Sequence, residues 1–133
     1  MTIKNFYHGA IAGILSALSC FIYNKIYLFA TEVDFSKVLN AAAIIGANLL
    51  ACIIASIGFG LFSKWFKNKA EIIFNFLFTI LSFASVIIPI SISLPLDIKN
   101  PELFPGLAVP MHFFPVLSWL TIMPLFAETK KEL

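Results

Sequence analysis

Residues 38–63 read VLNAAAIIGANLLACIIASIGFGLFS, a run of 26 residues without one charge. A helix needs about 20 apolar residues to cross a hydrocarbon core of about 30 Å. Backbone polar groups in hydrocarbon must be satisfied within the chain, which leaves helices or closed barrels. A barrel strand alternates apolar and polar residues over about ten positions. This run is continuously apolar, so it reads as a transmembrane helix.

Three more uncharged runs flank it, at 5–24, 72–96 and 103–127. Each is long enough to span. The spacing predicts helices near 6–30, 38–62, 70–91 and 107–126, with connections at 31–37, 63–69 and 92–106. Short connections make consecutive helices antiparallel neighbours. The expected fold is all-α: a four-helix transmembrane bundle, up-down-up-down, in one domain over residues 1–133.

Composition agrees. The 133 residues are 60% hydrophobic and 12% charged, with nine Lys, no Arg and a net charge of +2; mean hydropathy is +0.96. Ordinary soluble domains carry roughly 25% charge and 45–50% apolar residues. A soluble enzyme and a disordered segment are excluded. So is a nucleic-acid partner, because the net charge is too small to attract a polyanion. The bilayer itself is the expected partner.

Lysine counting sets the orientation. Lys4, Lys64, Lys67, Lys69, Lys130 and Lys131 fall on one side; Lys25, Lys37 and Lys99 fall on the other. Both termini are therefore expected in the cytoplasm. Lys4 and an apolar run ending at Cys20 resemble a lipoprotein leader, but Leu18 is misplaced for cleavage and the run continues through Tyr23, so an uncleaved first helix is expected. Lysine without arginine, with abundant Ile, Phe and Asn, fits an AT-rich bacterial genome and hence the inner membrane.

Helices in lipid associate by close packing and polar contacts, with small residues at the contact faces. The first helix carries Gly9 and Gly13 at spacing four. The second carries Ala43, Ala47, Ala51 and Ala55, with Asn48 and Cys52 on the adjoining ridge. These faces serve either packing within the chain or an interface with a second copy or a partner subunit. Asn48 is expected to find Ser82 or Ser85 on the third helix. Asn75 and Thr79 are expected to point inward, and Trp119 to fill space between helices. Pro89 should end or kink the third helix; Pro115 should bend the fourth and free a carbonyl, while Pro110, in a first turn, is harmless.

Ionisable residues inside a membrane are costly and often mark sites. His112 stands out, near the outer end of the fourth helix. Asn24, Lys25 and Asn40 fall at similar depth, and together they suggest an outward polar vestibule; the alternative is a histidine bonded between helices for packing. The proline-rich connection 92–106 either covers this region as a lid or is an ordinary interfacial link. His8 is expected at the inner interface, too far from His112 for both to ligate one haem iron. No cluster of His, Cys and carboxylates suits a metal, so no metal and no cofactor are expected. Cys20 and Cys52 lie at different depths and read as small packing residues. Lys64, Lys67 and Lys69 beside Trp65 suit anchoring to anionic headgroups.

The chain resembles a family of small bacterial four-helix membrane proteins of unknown function. The features that carry this are Glu32-Val33-Asp34 in the first connection, Lys64-Trp65 in the second, Ser85 followed by Pro89, and Met111-His112. The resemblance implies the same four-span plan and no particular activity. Two functions follow from the residues. One is a non-enzymatic integral membrane protein acting by helix packing with itself or a partner. The other is a binder or carrier of a small lipophilic molecule around His112.

Overall fold

A computed structural model describes residues 2–126, and its regular structure is entirely helical. The helices are α1 (Ile3–Thr31), α2 (Ala41–Phe66), α3 (Ala70–Ser85), α4 (Ile87–Ser91), α5 (Phe104–Met111) and α6 (Phe114–Phe126). Single 3₁₀ turns at Lys67–Lys69 and Pro101–Leu103 precede α3 and α5. Lys130 and Lys131, used above to orient the chain, lie outside the described residues.

Polar caps set the starts. Thr2 accepts the Asn5 N–H at the head of α1. Asn40 Oδ1 accepts the Ala43 N–H at 2.8 Å, so α2 begins after Asn40 and not at Val38. The left-handed conformation of Glu32 (φ 59°) ends α1. At Lys67 the backbone again turns to positive φ (48°) and leaves the helix.

The four expected helices are six among the described residues, because proline does not merely bend two of them but breaks them. A proline ring clashes with the carbonyl four residues back and offers it no N–H. Pro89 acts on Ser85, where α3 stops; Pro115 acts on Met111, where α5 stops. The expected helix 70–91 is therefore α3 plus α4, and the expected 107–126 is α5 plus α6. The latter also starts earlier, at Phe104, which moves Pro110 from a first turn into a helix interior.

Three stretches are long and apolar enough to cross a membrane: Ile3–Thr31, Ala41–Ser91 and Pro101–Phe126. The middle one doubles back on itself. The Phe59 and Phe74 rings are 5.5 Å apart, whereas fifteen residues of straight helix would separate them by about 22 Å.

Neighbouring helices run in opposite directions. Along α1 and α2, Ser56 donates to the Asn5 carbonyl and Ser16 to Asn48. Along α1 and the last two helices, His8 meets Trp119, Cys20 meets Met111 and Tyr23 meets Gly106. Along α3 and α6, Asn75 meets Trp119 while Ser85 meets His112 just before α6.

The core has two centres. One surrounds Trp119, which is wholly buried among Ala12, Cys52, Phe74 and Ile122. The other joins Phe35 and Ile98, from two connections, to Ile44, Phe104 and Leu107. The proline-rich connection thus caps the bundle end by burying Ile98 against Phe35, and an exposed Lys37–Asp97 ion pair at 3.5 Å ties the two connections together. At the opposite end Trp65 projects outward, 73% exposed, beside Lys64.

Candidate functional site

The turn at Lys67 forces α2 and α3 together at one end. There Phe59, Phe62 and Phe74 pack edge to face and fill the space. Toward the other end the floor on α2 is made of small residues, Ala47 and Ala51, which cannot reach α3. A cavity of about 730 Å³ results between α2, α3 and the α5–α6 junction. Small-molecule sites occupy about 300–1,000 Å³.

The lining has a direction. Phe62, Phe74 and Phe78 line the part near the Lys67 turn, and Asn48, Ser82, Ser85 and His112 line the part away from it. Ile54, Leu77 and Leu81 border the cavity and are themselves exposed. Its mouth therefore faces sideways, through the apolar surface of the bundle.

His112 lies at the junction of α5 and α6, half-buried. Its Nδ1 is 2.9 Å from Ser85 Oγ. The Ser85 hydroxyl donates in turn to the Ser82 carbonyl at 2.8 Å. That carbonyl needs a donor, because the break after α3 turns the Val86 N–H to Phe83 instead. Proline thus creates the break, the break orients Ser85, and Ser85 orients the imidazole.

Asn48 Oδ1 is engaged from the α1 side. Its Oδ1 accepts from Ser16 and Cys20, and its Nδ2 donates to the Ile44 carbonyl at 2.7 Å. The expected pairing with Ser82 or Ser85 does not form, since α1 reaches Asn48 first. Both cysteines are free and buried. Cys52 Sγ lies 4.0 Å from the Pro115 carbonyl, and Cys20 Sγ, whose one proton goes to Asn48, also lies 3.9 Å from the Met111 carbonyl, both at the α5–α6 break.

The other residues singled out from sequence do not gather around His112. Asn40 caps α2. Lys25 lies over the Phe21 ring at 5.3 Å. Asn24 is half-buried on α1, outside the cavity lining. Gly9 and Gly13 pack against α2: a Cβ on Gly9 would meet Ser56 Oγ at 1.9 Å, and one on Gly13 would meet Leu49 at 3.0 Å. Ala55 is buried, Ala51 half-buried, and Ala43 and Ala47 are exposed. His8, expected at the interface, is buried instead. Its ring stacks on Trp119 at 3.8 Å, and its Nε2–H donates to the Trp119 carbonyl at 3.0 Å.

Ser85 as the partner of His112 is what the sequence reading missed. A signal was present: Ser85 sits four residues before Pro89, where a helix breaks and a hydroxyl can bond a carbonyl of its last turn. Among the described residues no three His, Cys, Asp or Glu side chains gather as a metal site. Comparison with family models, with curated proteins and with solved structures finds no match.

Proposed function

We propose that this chain is a four-span integral membrane protein that binds a lipophilic molecule in the cavity between α2 and α3. One observation carries the proposal: a cavity of about 730 Å³ opens sideways among exposed apolar side chains and holds polar groups only in its part around His112. A hydrocarbon chain is compatible with the Phe-lined part and a polar headgroup with the other. This is the alternative reading of the sequence, with the vestibule moved from Asn24, Lys25 and Asn40 to Ser82 and Ser85.

The four-span plan is supported by the doubling back at Lys67 and by the antiparallel pairings. Lys64, Lys67 and Lys69 at that turn favour the cytoplasmic side for it, hence an N-in, C-in arrangement in a bacterial inner membrane. Membership in the family of small bacterial four-helix proteins belongs to the same proposal. Cysteines introduced at Asn68 and Ser36 should label from opposite sides of the membrane; labelling from the same side rejects the plan.

Binding is tested by extracting protein purified in mild detergent and measuring co-purifying lipophiles by mass spectrometry. Ala51→Phe places a ring in the cavity and should abolish them while the melting temperature holds. Equal recovery from the variant rejects the cavity as the site.

A second reading puts a helix of a partner subunit or a second copy on the same face. Exposure of Ala43 and Ala47 on α2 favours it, since small residues let backbones approach closely. Ala47→Leu should then abolish a detergent-resistant dimer or a pulled-down partner; lone monomer throughout rejects it.

A further inference from the structure

We infer that the molecule bound in this cavity is an amphiphile whose headgroup presents a hydroxyl or similar hydrogen-bond donor to Nε2 of His112. The inference deepens the binding reading above and rests on it.

The argument is one of hydrogen-bond direction. A backbone carbonyl only accepts, so the 2.8 Å contact between Ser85 Oγ and the Ser82 carbonyl uses the single Ser85 hydroxyl proton. Toward His112, Ser85 Oγ has only lone pairs left. The 2.9 Å contact with Nδ1 therefore requires a proton on Nδ1. In a neutral imidazole that leaves Nε2 as an acceptor.

Nε2 has no hydrogen-bond partner among the described residues, and no buried side-chain nitrogen or oxygen there is left unpartnered. Nε2 is thus accessible, and His112 lines the cavity. A lone pair in an apolar cavity selects a donor. A carboxylate, or an ester or ether oxygen, offers Nε2 nothing. A long-chain alcohol, a monoacylglycerol, a prenol or a quinol does. Of the other polar side chains in the same part, Ser82 donates to the Phe78 carbonyl and Asn48 has its oxygen engaged by Ser16 and Cys20, so the one further group Asn48 can offer is an amide N–H, which a hydroxyl oxygen can accept.

Entry is from the bilayer, past Ile54 and Leu81. The tail then lies along Ala51 and Gly58 toward Phe74, with the headgroup at His112.

The test compares two probes that differ by O-methylation, which removes the donor: a C16 alcohol carrying a photoreactive diazirine in its chain, and its methyl ether. Each is photolysed with the full-length protein in nanodiscs, and adducts on α2 and α3 are quantified by peptide mass spectrometry. A net hydrogen bond contributes about 0.5–1.5 kcal/mol. The wild type should therefore label with the alcohol roughly two- to thirteenfold over the ether. His112→Leu should equalise the two probes by lowering alcohol labelling alone. Ser85→Ala releases the tautomer and should reduce the preference without abolishing it, which keeps the test open if His112→Leu fails to fold.

Absence of lining adducts with both probes rejects the cavity reading itself. Equal wild-type labelling by both leaves that reading standing and overturns the donor inference. A preference that survives His112→Leu, or is unmoved by Ser85→Ala, also overturns it.

Discussion

The hydroxyl of Tyr23 donates to the carbonyl of Gly106 at 2.7 Å, and that carbonyl is the one Pro110, four residues on, leaves without a helical N–H. A neighbouring tyrosine one turn along, Tyr27, donates to the Leu103 carbonyl at the start of the same helix. Two phenols on α1 thus bind the edge of α5, one of them at the carbonyl that proline leaves without a helical partner. An unsatisfied carbonyl is costly where no water can replace the lost partner.

Tyr23→Phe removes the donor and little else. Stability in detergent should fall by about 1–2 kcal/mol, read as a lower melting temperature. Replacing Pro110 by Ala in the same background restores an N–H for Gly106 and should recover part of the loss. No loss in the single variant, or no recovery in the double, would show that the Gly106 carbonyl is met in another way.

Two glycines should respond oppositely to alanine. At Gly9 a new Cβ would lie 1.9 Å from Ser56 Oγ and 2.6 Å from the Cys52 backbone oxygen. Backbone cannot step aside, so α1 must move off α2, at about 1–3 kcal/mol. At Gly46 a Cβ meets nothing within 4 Å. Gly46→Ala should be neutral or stabilise by up to about 1 kcal/mol through helix propensity. Melting temperatures of the two variants in one detergent decide it.

Trp119 has no exposed surface. It stacks on His8 at 3.8 Å and donates its indole N–H to Asn75 Oδ1 at 3.2 Å. Trp119→Ala should cost about 3–5 kcal/mol. Trp119→Phe keeps most of the volume but leaves Asn75 Oδ1 without its donor, so it should lose less, about 1–2 kcal/mol. Asn75→Leu combined with Trp119→Phe removes both polar partners and should be less harmful than the sum of the two single changes. Strict additivity would mean the bond contributes nothing.

Asp34 lies in the exposed connection after α1. Its carboxylate accepts the Ser36 N–H at 2.8 Å, and this bond holds its pKa below the ordinary aspartate value. A depressed folded-state pKa stabilises the fold above the unfolded pKa of about 3.9, and the benefit disappears as pH falls through the folded value. Asp34→Ala should therefore lower the melting temperature slightly at pH 6, by a margin that narrows as pH falls below about 4. A difference that grows on acidification contradicts the assignment.

Much of the fold was legible because hydrocarbon makes secondary structure a local matter. A continuous uncharged run must close its own hydrogen bonds, so 38–63 declares itself a helix without reference to anything distant. The glycine face of α1 is local in the same way. The prolines were visible too, and Pro115 was expected to free a carbonyl. What stayed hidden was where the breaks would fall. Val86 and the His112–Phe113 step lie a turn before Pro89 and Pro115, and Phe104 opens a helix that hydropathy alone starts later.

The site was less legible. His112 stands out in any reading of ionisable residues, and it does line the cavity. Depth along the bilayer also suggested Asn24, Lys25 and Asn40 as companions, but equal depth does not mean a shared face. Asn40 was taken by its own helix as a cap, and Lys25 stayed on the outer surface over Phe21.

The sequence alone determined the helical class, the membrane-spanning hydropathy and the approximate extents of α1 and α2, because charge-free length and internal backbone bonding need no partner elsewhere in the chain. Tertiary structure alone decided which polar groups meet: Asn48 with Ser16, His8 with Trp119, and Ser85 with His112. Those pairings depend on how each helix is rotated and where proline interrupts it. Rotation is fixed only when all the helices pack at once.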